Sequence, residues 1–299
     1  MRKKGRSDEL DGKWTVQASD ESDELLQFLF DKMSHKSRNA VKSVLGRGQV
    51  VVNGKPQTQF NFPLTVGDVV KVHTRVASDE VQLTGMRILF EDAHIIVIEK
   101  DAGLLTIASS NEREMTAYRQ LMDYVKSIQE KNRIFIVHRL DRDTSGVMLF
   151  AKSKEMQQTL QNNWHEIVPK RAYVALVEGA VRKDGTITNW LKENKAFVMY
   201  SSRRPNDGQK ATTHYKVLKK NKANSLLEVH LETGRKNQIR VHMQDLGHPI
   251  VGDRKYGAVT KPIGRLGLHA HKIAFTHPVT KKFLTFESKI PVSFLKMFN

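Results

Sequence analysis

The chain has 299 residues, of which 39% are hydrophobic and 27% charged, a composition ordinary for a soluble globular protein with one large domain and a small module. It contains no cysteine, which excludes disulfides, thiolate catalysis, iron–sulfur clusters and cysteine-ligated zinc. No apolar run approaches the roughly 20 residues that a membrane-spanning helix needs, and residues 1–12 lack the apolar core of a secretory signal. We therefore expect a cytoplasmic protein with no membrane partner.

The charge of the chain is strongly positive, with a formal net value of +17. The first 80 residues hold 13 Lys and Arg against 11 Asp and Glu, so +15 of that charge belongs to residues 81–299. A surface this basic favours a polyanionic partner, and nucleic acid is the foremost candidate. The alternative interpretation of the charge is that it only keeps the protein soluble.

A small domain is predicted after a polar tail at residues 1–13. Apolar residues recur at helical spacing over 25–45 and are followed by glycines, which predicts two short helices. A Val-Val-Val run at 50–52 leads into Asn-Gly, the favoured two-residue hairpin turn, and a Gly-Asp turn precedes another strand at 69–72. The sequence therefore predicts a helix–helix–hairpin domain over residues 14–76.

The basic residues of this small domain are predicted to bind RNA. They are Lys36, Arg38, Lys42, Arg47 and Lys55. The order of elements and the segment Gln-Val-Val-Val-Asn-Gly-Lys at 49–55 resemble the alpha-L RNA-binding module, which occurs in one small-subunit ribosomal protein and in many RNA-modifying enzymes. The alternative is a structural appendage that merely has a basic face.

A larger domain is predicted over residues 87–299, after a polar linker at 77–86 that shows no periodicity. Short runs rich in β-branched residues alternate there with amphipathic stretches. The predicted strands lie at 95–98, 134–137, 147–151, 172–178, 214–218 and 226–231, and the predicted helices at 118–128, 156–167 and 235–247. Because several strands follow one another without helical crossovers, we expect an α+β fold: a mixed, largely antiparallel sheet with flanking helices.

A polar loop between two of these strands carries the strongest candidate for chemistry. Its sequence, HRLDRDTSG over residues 138–146, places an arginine on each side of Asp141. Functional residues are common in loops at the ends of strands. Taken alone, the loop also fits plain turn chemistry with Asp141 as a salt-bridged surface carboxylate, so the residue types leave both interpretations open.

The loop HRLDRDTSG resembles the signature of the RluA-type RNA pseudouridine synthases. Further segments are similar to that family's motifs in the same order, and they lie at 170–179, 210–215, 231–242, 252–257 and 268–270. The resemblance spans residues 87 to about 290. It departs from the family at Lys236-Asn237, where Thr-His is usual; asparagine keeps a donor and an acceptor but cannot titrate.

The resemblance implies an isomerisation of uridine in RNA that needs no cofactor. The bond from ribose to N1 of uracil breaks, the base turns, and a carbon–carbon bond forms at C5. Asp141 and Arg240 match the family's catalytic aspartate and arginine. Three roles for the aspartate stay open: attack at C1′, addition to C6, and proton removal from C2′.

The same resemblance implies that the target uridine is flipped out of its stack. Arg139 is then expected to fill the gap, and Tyr173 to line the pocket that receives the base. His138 and Arg142 complete the predicted RNA-contacting residues of the loop, with support of the loop as the alternative for His138. We expect an RNA partner, ribosomal RNA first and transfer RNA as the alternative, and a monomeric protein.

Other classes of site fit the sequence less well. His269 and His271 share a face of a predicted strand, but without a carboxylate triad nearby we expect no metal site. A glycosidase needs a second carboxylate as general acid, and Asp143 is taken up by turn chemistry. The remaining alternative is a non-catalytic RNA-binding protein of the same fold.

Overall fold

The computed structural model describes residues 10–20, 24–46, 48–73, 83–108 and 115–298. The chain divides into two compact units, Met1–Gln82 and Leu83–Asn299. Within the described residues, no helix has the length and apolar character that crossing a membrane requires.

The smaller unit packs two helices against a four-stranded antiparallel sheet, in the order β1-β4-β2-β3. Its elements are β1 (Leu10–Thr15), α1 (Leu25–Lys32), α2 (Arg38–Gly46), β2 (Val50–Val52), β3 (Lys55–Gln57) and β4 (Val69–His73). Asn53 and Gly54 have φ values of 50° and 81°, as the predicted two-residue hairpin turn requires. The helix–helix–hairpin order is thus confirmed.

The prediction of a polar tail over residues 1–13 is wrong at its end, because residues 10–13 belong to strand β1. Residues 10–15 pair with β4 as an edge strand, with a register irregularity between Leu10 and Gly12. In their sequence, LDGKWT, polar Asp, Lys and Thr alternate with Leu, Gly and Trp, and Trp14 packs against the core of this unit. The predicted linker at 77–86 lies mostly outside the described residues, and the amide of Thr84 already bonds to Gln120 of the larger unit (2.7 Å).

The larger unit is built on one 11-stranded mixed sheet. Its strands are β5 (Met86–Glu91), β6 (Ile95–Lys100), β7 (Phe135–Ile136), β8 (Ser145–Ala151), β9 (Lys170–Glu178), β10 (Gly185–Glu193), β11 (Met199–Ser202), β12 (Gln209–Lys220), β13 (Asn224–Leu231), β14 (Leu268–Thr276) and β15 (Phe283–Glu287). Nine of them run in the order β11-β10-β12-β13-β9-β14-β8-β6-β5, while β15 pairs with β14 and β7 with β8. Among the strand pairs of the described residues, only β14 and β8 are parallel, which confirms the α+β fold.

Helices flank this sheet and cover its central strands on both faces. They are α3 (Ala117–Ile128), α4 (Lys154–Asn162), α5 (Trp164–Ile167), α6 (Gln238–Asp245) and α7 (Val292–Leu295). The predicted helix at 156–167 is in fact two helices, because Asn163 leaves the helical conformation (φ −112°, ψ 29°). The predicted helix at 235–247 begins only at residue 238, because Asn237 is left-handed (φ 52°).

The buried core explains why the site forms where it does. Strand β8 is buried along its whole length, with Met148 facing the α3 cluster and Leu149 facing the α4 cluster. Helix α6 lays Ile239 and Met243 against the residues of β9 and β13. Packing on rigid strands therefore fixes two segments, the loop before β8 and the N-terminal end of α6, which line a common cavity.

Candidate active site

The loop at 137–144 and the start of α6 line a cavity of about 480 Å³. Its other walls come from β9, β13 and the α4–α5 region. The lining includes Arg139, Asp141, Tyr173, Asn237 and Arg240, so the structure brings together the three predicted catalytic residues and one predicted RNA-contacting arginine.

The loop that carries Asp141 is held from behind by buried groups. Lys100 donates to the carbonyl oxygens of Asp101, Leu104 and Arg142 at 2.7 to 2.9 Å. Burial lowers the pKa of Lys100 to about 8, although nearby carboxylates oppose the shift. The lysine ammonium thus ties the loop to the end of β6.

Glycine is needed where the loop enters β8. Gly146 has a φ of 117°, and a side-chain carbon there would lie 2.1 Å from the carbonyl oxygen of Ala270. This contact lets β8 and β14 pair in parallel directly behind the loop.

One oxygen of Asp141 is held by two donors from α6. Its Oδ2 accepts a hydrogen bond from Nη1 of Arg240 (3.0 Å) and another from Nδ2 of Asn237 (2.6 Å). No group among the described residues bonds to its Oδ1. The carboxylate is therefore oriented by the protein through one oxygen, while the other oxygen has no donor among the described residues.

Arg240 is fixed on every side. Its Nε and Nη2 donate to the two oxygens of Asp253 at 2.7 and 2.8 Å, and its guanidinium lies 4.8 Å from the ring centroid of Tyr256. The Asp253 side chain is only 1% exposed. Burial by itself would lower the pKa of Arg240, but the bonds and charges of Asp253 and Asp141 raise that pKa above its ordinary value. The arginine is therefore a permanent cation in a single orientation.

Asn237, at the position where the chain departs from the family pattern, contacts Asp141 directly. Its Oδ1 accepts a hydrogen bond from the hydroxyl of Tyr256 (3.1 Å), which turns its amide nitrogen toward the carboxylate. Its left-handed backbone, with φ 52°, suits asparagine better than most residues. The sequence predicts no role for Asn237, Asp253 or Tyr256, although 252–257 is one of the segments that are similar to the family's motifs.

Tyr173 lies on β9 in the wall of the cavity and packs against two of the apolar clusters. Burial raises the pKa of its phenol, an effect that the charge of Arg171 partly opposes. The neutral ring of Tyr173 is thus fixed in the cavity wall. Arg171 lies on the same strand and also lines the cavity, and its guanidinium is 5.7 Å from the ring centroid of Trp164.

The remaining loop residues have different environments. Arg139 is exposed at the cavity and has no ion-pair partner within the described parts of the chain. Nε2 of His138 accepts from the amide of Leu149 (3.1 Å), and burial followed by the charge of Arg171 lowers the pKa of His138 to about 4. Arg142 points away toward Asp143 (3.3 Å) and does not line the cavity.

The basic residues predicted in the smaller unit are only partly accessible. Arg38, Lys42 and Lys55 are exposed, whereas Lys36 is half-buried and forms an ion pair with Asp11. The guanidinium of Arg38 lies 5.0 Å from the ring centroid of Phe30. Arg47 lies outside the described residues.

The histidines considered as metal ligands have other partners. Nδ1 of His269 is 2.7 Å from the hydroxyl of Ser145, and Nδ1 of His271 is 2.6 Å from the carbonyl oxygen of Ser288. Burial, and then the charge of Arg265, lowers the pKa of His269 to about 4. In the ranges that the structure describes, no group of three or more metal-ligating side chains is present.

Comparison with known proteins identifies the class to which this fold and cavity belong. A family model described as RNA pseudouridylate synthase matches residues 94–245, a range that contains the loop of Asp141 and helix α6. Ribosomal large subunit pseudouridine synthase D of Vibrio cholerae is 31% identical over 300 residues, covering 95% of this chain and 92% of that protein. Its namesake in Neisseria meningitidis serogroup A is 33% identical over 271 residues, covering 85% and 72%.

A solved structure agrees with the sequence relatives. Human RNA pseudouridylate synthase domain containing 4 superposes with a TM-score of 0.58 at 25% identity, covering 70% of this chain and 91% of that one. The chain therefore belongs to the RNA pseudouridylate synthase family. Within that family it is of the RluA type, an isomerase that converts uridine in RNA to pseudouridine. The resemblance drawn from the sequence motifs is confirmed.

Proposed function

We propose that this enzyme modifies uridines of ribosomal RNA and that Asp141 is its catalytic carboxylate. The observation that carries the proposal is the asymmetry of Asp141, whose Oδ2 is held by Arg240 and Asn237 while its Oδ1 has no donor among the described residues. The relatives in Vibrio cholerae and Neisseria meningitidis are named as ribosomal large subunit synthases, which supports ribosomal RNA over transfer RNA as the substrate.

The chemistry follows from the way in which the carboxylate is held. Attack at C1′, addition to C6 and proton removal from C2′ all need an anionic oxygen that is positioned before the substrate arrives. Arg240 supplies a positive charge that cannot titrate away, and Asn237 supplies a neutral donor that is independent of pH. The free oxygen of Asp141 then faces the nucleoside without reorganisation of its surroundings.

The target uridine reaches Asp141 by leaving its stack. Arg139 is exposed at the cavity with no ionic partner in the described ranges, so it is free to enter the RNA and occupy the place of the base. Tyr173 offers its ring in the cavity wall as a platform for the uracil. His138, a neutral acceptor for the amide of Leu149, supports the loop from inside.

The smaller unit is proposed to act as an alpha-L RNA-binding module. Its exposed Arg38, Lys42 and Lys55 would bind phosphates, which adds affinity without reading sequence. All the proposed catalytic groups come from one chain and none needs a cofactor, so we propose a monomeric, cofactor-independent enzyme that acts on RNA in the cytoplasm.

The decisive experiment is tritium release from RNA labelled at C5 of uracil. Formation of the carbon–carbon bond expels that hydrogen, whereas RNA binding alone leaves it in place. We expect release from large-subunit ribosomal RNA and much less from transfer RNA of the same cell. Release from transfer RNA alone would overturn the assignment of substrate, and no release from either RNA would support a non-catalytic RNA-binding protein.

A further inference from the structure

The end of the large sheet formed by β11, β10 and β12 has two unlike faces. On one face, Leu191, Met199 and Ala211 pack with Val241 and Tyr256 beside α6. Because side chains alternate along a strand, the residues between them project from the opposite face.

Trp190, Lys192, Tyr200 and Lys210 share the opposite face, and we call them the aromatic face. Lys192 lies across from Tyr200 in the strand register, and Trp190 lies across from Lys210. The ammonium of Lys192 is 5.5 Å from the ring centroid of Tyr200, which is 41% exposed. Neither Trp190 nor Tyr200 belongs to an apolar cluster of the described residues. Two aromatic rings are therefore set between lysines without being part of a core.

The hairpin that joins β10 to β11 presents a third ring. Phe197 is 73% exposed and has a φ of 58°, a conformation that costs energy for a bulky residue. Its turn is nevertheless rigidly built, because Oδ1 of Asn194 accepts from the amides of Ala196 and Val198 at 2.9 and 3.0 Å. An exposed aromatic ring held in a strained conformation by a well-bonded turn indicates a binding role.

The aromatic face lies on the side of the sheet opposite α6, and it comes near the active-site cavity only at the edge of the sheet. Nε of Arg235 donates to the carbonyl oxygen of Lys210 (3.1 Å), and Lys236 forms an ion pair with Glu193 at the end of β10. Both Arg235 and Lys236 line the cavity. An RNA strand that has one nucleotide in the cavity would therefore reach this face by passing around the sheet edge at Arg235 and Lys210, with nucleotides several positions from the target.

Charge decides the kind of ligand that fits this face. The segment 192–210 contains five basic residues against two acidic ones. Both acids are already paired, Glu193 with Lys236 and Asp207 with Lys192 (2.6 Å). Within the described residues, no ion pair neutralises the other four cations of the segment, Lys195, Arg203, Arg204 and Lys210. Exposed rings beside such cations suit a polyanion with flat bases, which is single-stranded RNA.

We propose that the aromatic face, with Phe197 and the exposed Arg203 and Arg204, binds unpaired nucleotides that flank the target uridine. Bases stack on Tyr200, Trp190 and Phe197, and the phosphates lie along the basic side chains. The proposal rests on the proposed function, which it deepens: the preferred substrate has the target uridine beside a single-stranded segment and not inside a continuous duplex.

Ring removal without charge removal tests this proposal in the full-length enzyme. The variant Phe197→Ser with Tyr200→Ser is compared with the wild type for binding of a fluorescent 15-nucleotide oligouridylate. We expect affinity to fall about tenfold or more, since base stacking contributes roughly 1–3 kcal/mol per base. The slope of affinity against salt stays unchanged, because every phosphate-binding side chain is kept. An unchanged affinity would overturn the proposal.

Matched controls separate stacking from damage and from failure of the proposed function. Phe283→Ser on β15 removes a ring of intermediate exposure (61%, against 73% for Phe197 and 41% for Tyr200) that lies outside this face, and it should leave binding unchanged. Tyr200→Phe keeps the ring and should bind as the wild type does. With large-subunit ribosomal RNA, the double variant should raise KM and keep kcat. A wild-type enzyme that released no tritium would refute the proposed function, whereas equal weakening by Phe283→Ser would refute the aromatic face alone.

Discussion

Two arginines, Arg139 and Arg142, lie on either side of Asp141 in the sequence, and a third, Arg240, contacts it in the folded chain. The flanking pair and Arg240 have opposite surroundings. Arg139 and Arg142 are exposed, and the only ion pair that either forms within the described residues is the one from Arg142 to its neighbour Asp143. Arg240 is 15% exposed, has both oxygens of Asp253 on its guanidinium and lies over the ring of Tyr256.

The difference separates two tasks of positive charge. A cation that must be in place when the transition state forms gains from burial and full bonding, because reorganisation at that moment raises the barrier. A cation that must enter an RNA stack needs to stay accessible and uncommitted. We therefore propose that the loop supplies the charge for binding and that helix α6 supplies the charge for chemistry.

Replacing Asp141 with Asn should have the largest effect, because it keeps the shape and removes the charge that α6 is built to orient. Pseudouridine formation at saturating RNA should be lost, while the binding isotherm of the same variant stays close to that of the wild type. Activity within about tenfold of wild type corresponds to only about 1.4 kcal/mol of barrier and would show that Asp141 is not the catalytic group.

Replacing Arg240 with Met should have the second largest effect on turnover. The change leaves Asp253 buried without its partner, so we expect turnover to fall by about 100-fold and the free energy of unfolding to fall by about 3 kcal/mol or more. RNA affinity should change little. Arg240→Lys should restore part of the stability but little of the turnover, because an ammonium cannot bridge Asp253 and Asp141 with the same geometry. Near-normal turnover of Arg240→Met in rapid-quench experiments would place the catalytic charge elsewhere.

Replacing Asn237 with Ala should cost about tenfold in kcat, since a hydrogen bond to a charged group is worth about 1.5–3 kcal/mol and Asp141 is partly open to solvent. KM should be unaffected, because Asn237 is proposed to act through Asp141 and not on the RNA. Tyr256→Phe should give a smaller loss in the same parameter, because it only frees the amide to turn. If instead KM rises and kcat stays constant, Asn237 contacts the substrate directly.

The strongly buried parts of this arrangement were predictable from the sequence. Strands β6 and β8 are apolar runs buried on both faces, and the predictions 95–98 and 147–151 fall inside them. Strands β10 and β11 had no such signal: residues 185–193 contain only two buried residues, Asn189 and Leu191, and β11 is four residues long. They form because neighbouring strands offer backbone partners, a tertiary effect that periodicity does not report.

The candidate site likewise has a part that the sequence predicted and a part that it did not. The polar loop was visible as HRLDRDTSG, but nothing in residue spacing could pair Asp141 with a residue 99 positions later; only the family resemblance singled out Arg240. The roles of Asp253 and Tyr256 were missed, because they depend on the turn after α6 folding back beneath it. The left-handed backbone of Asn237 makes helix α6 begin later than predicted. The only hint of it in the sequence was that asparagine tolerates positive φ better than most residues.

Replacing Arg139 with Ala should weaken the enzyme through the substrate and not through Asp141. Base flipping costs a few kcal/mol, and losing the group that fills the gap should lower kcat/KM by about tenfold. The loss should be smaller on RNA in which the target uridine is already unpaired, since less stacking is then broken. An equal loss on paired and unpaired targets would argue for a plain phosphate contact.

Replacing Arg38, Lys42 and Lys55 together with Gln should have the smallest effect on turnover. These side chains are exposed in the smaller unit, so if they bind phosphates their removal takes away sequence-independent affinity. The slope of log affinity against log salt should become shallower by roughly one for each phosphate that is no longer neutralised, while kcat at saturating RNA stays the same. Lys36→Gln is the informative control, because that lysine is already paired with Asp11 and its replacement should leave the slope unchanged. A triple variant with the wild-type slope would mean that the accessible cations of this unit do not touch RNA, and that the binding charge comes from the larger unit alone.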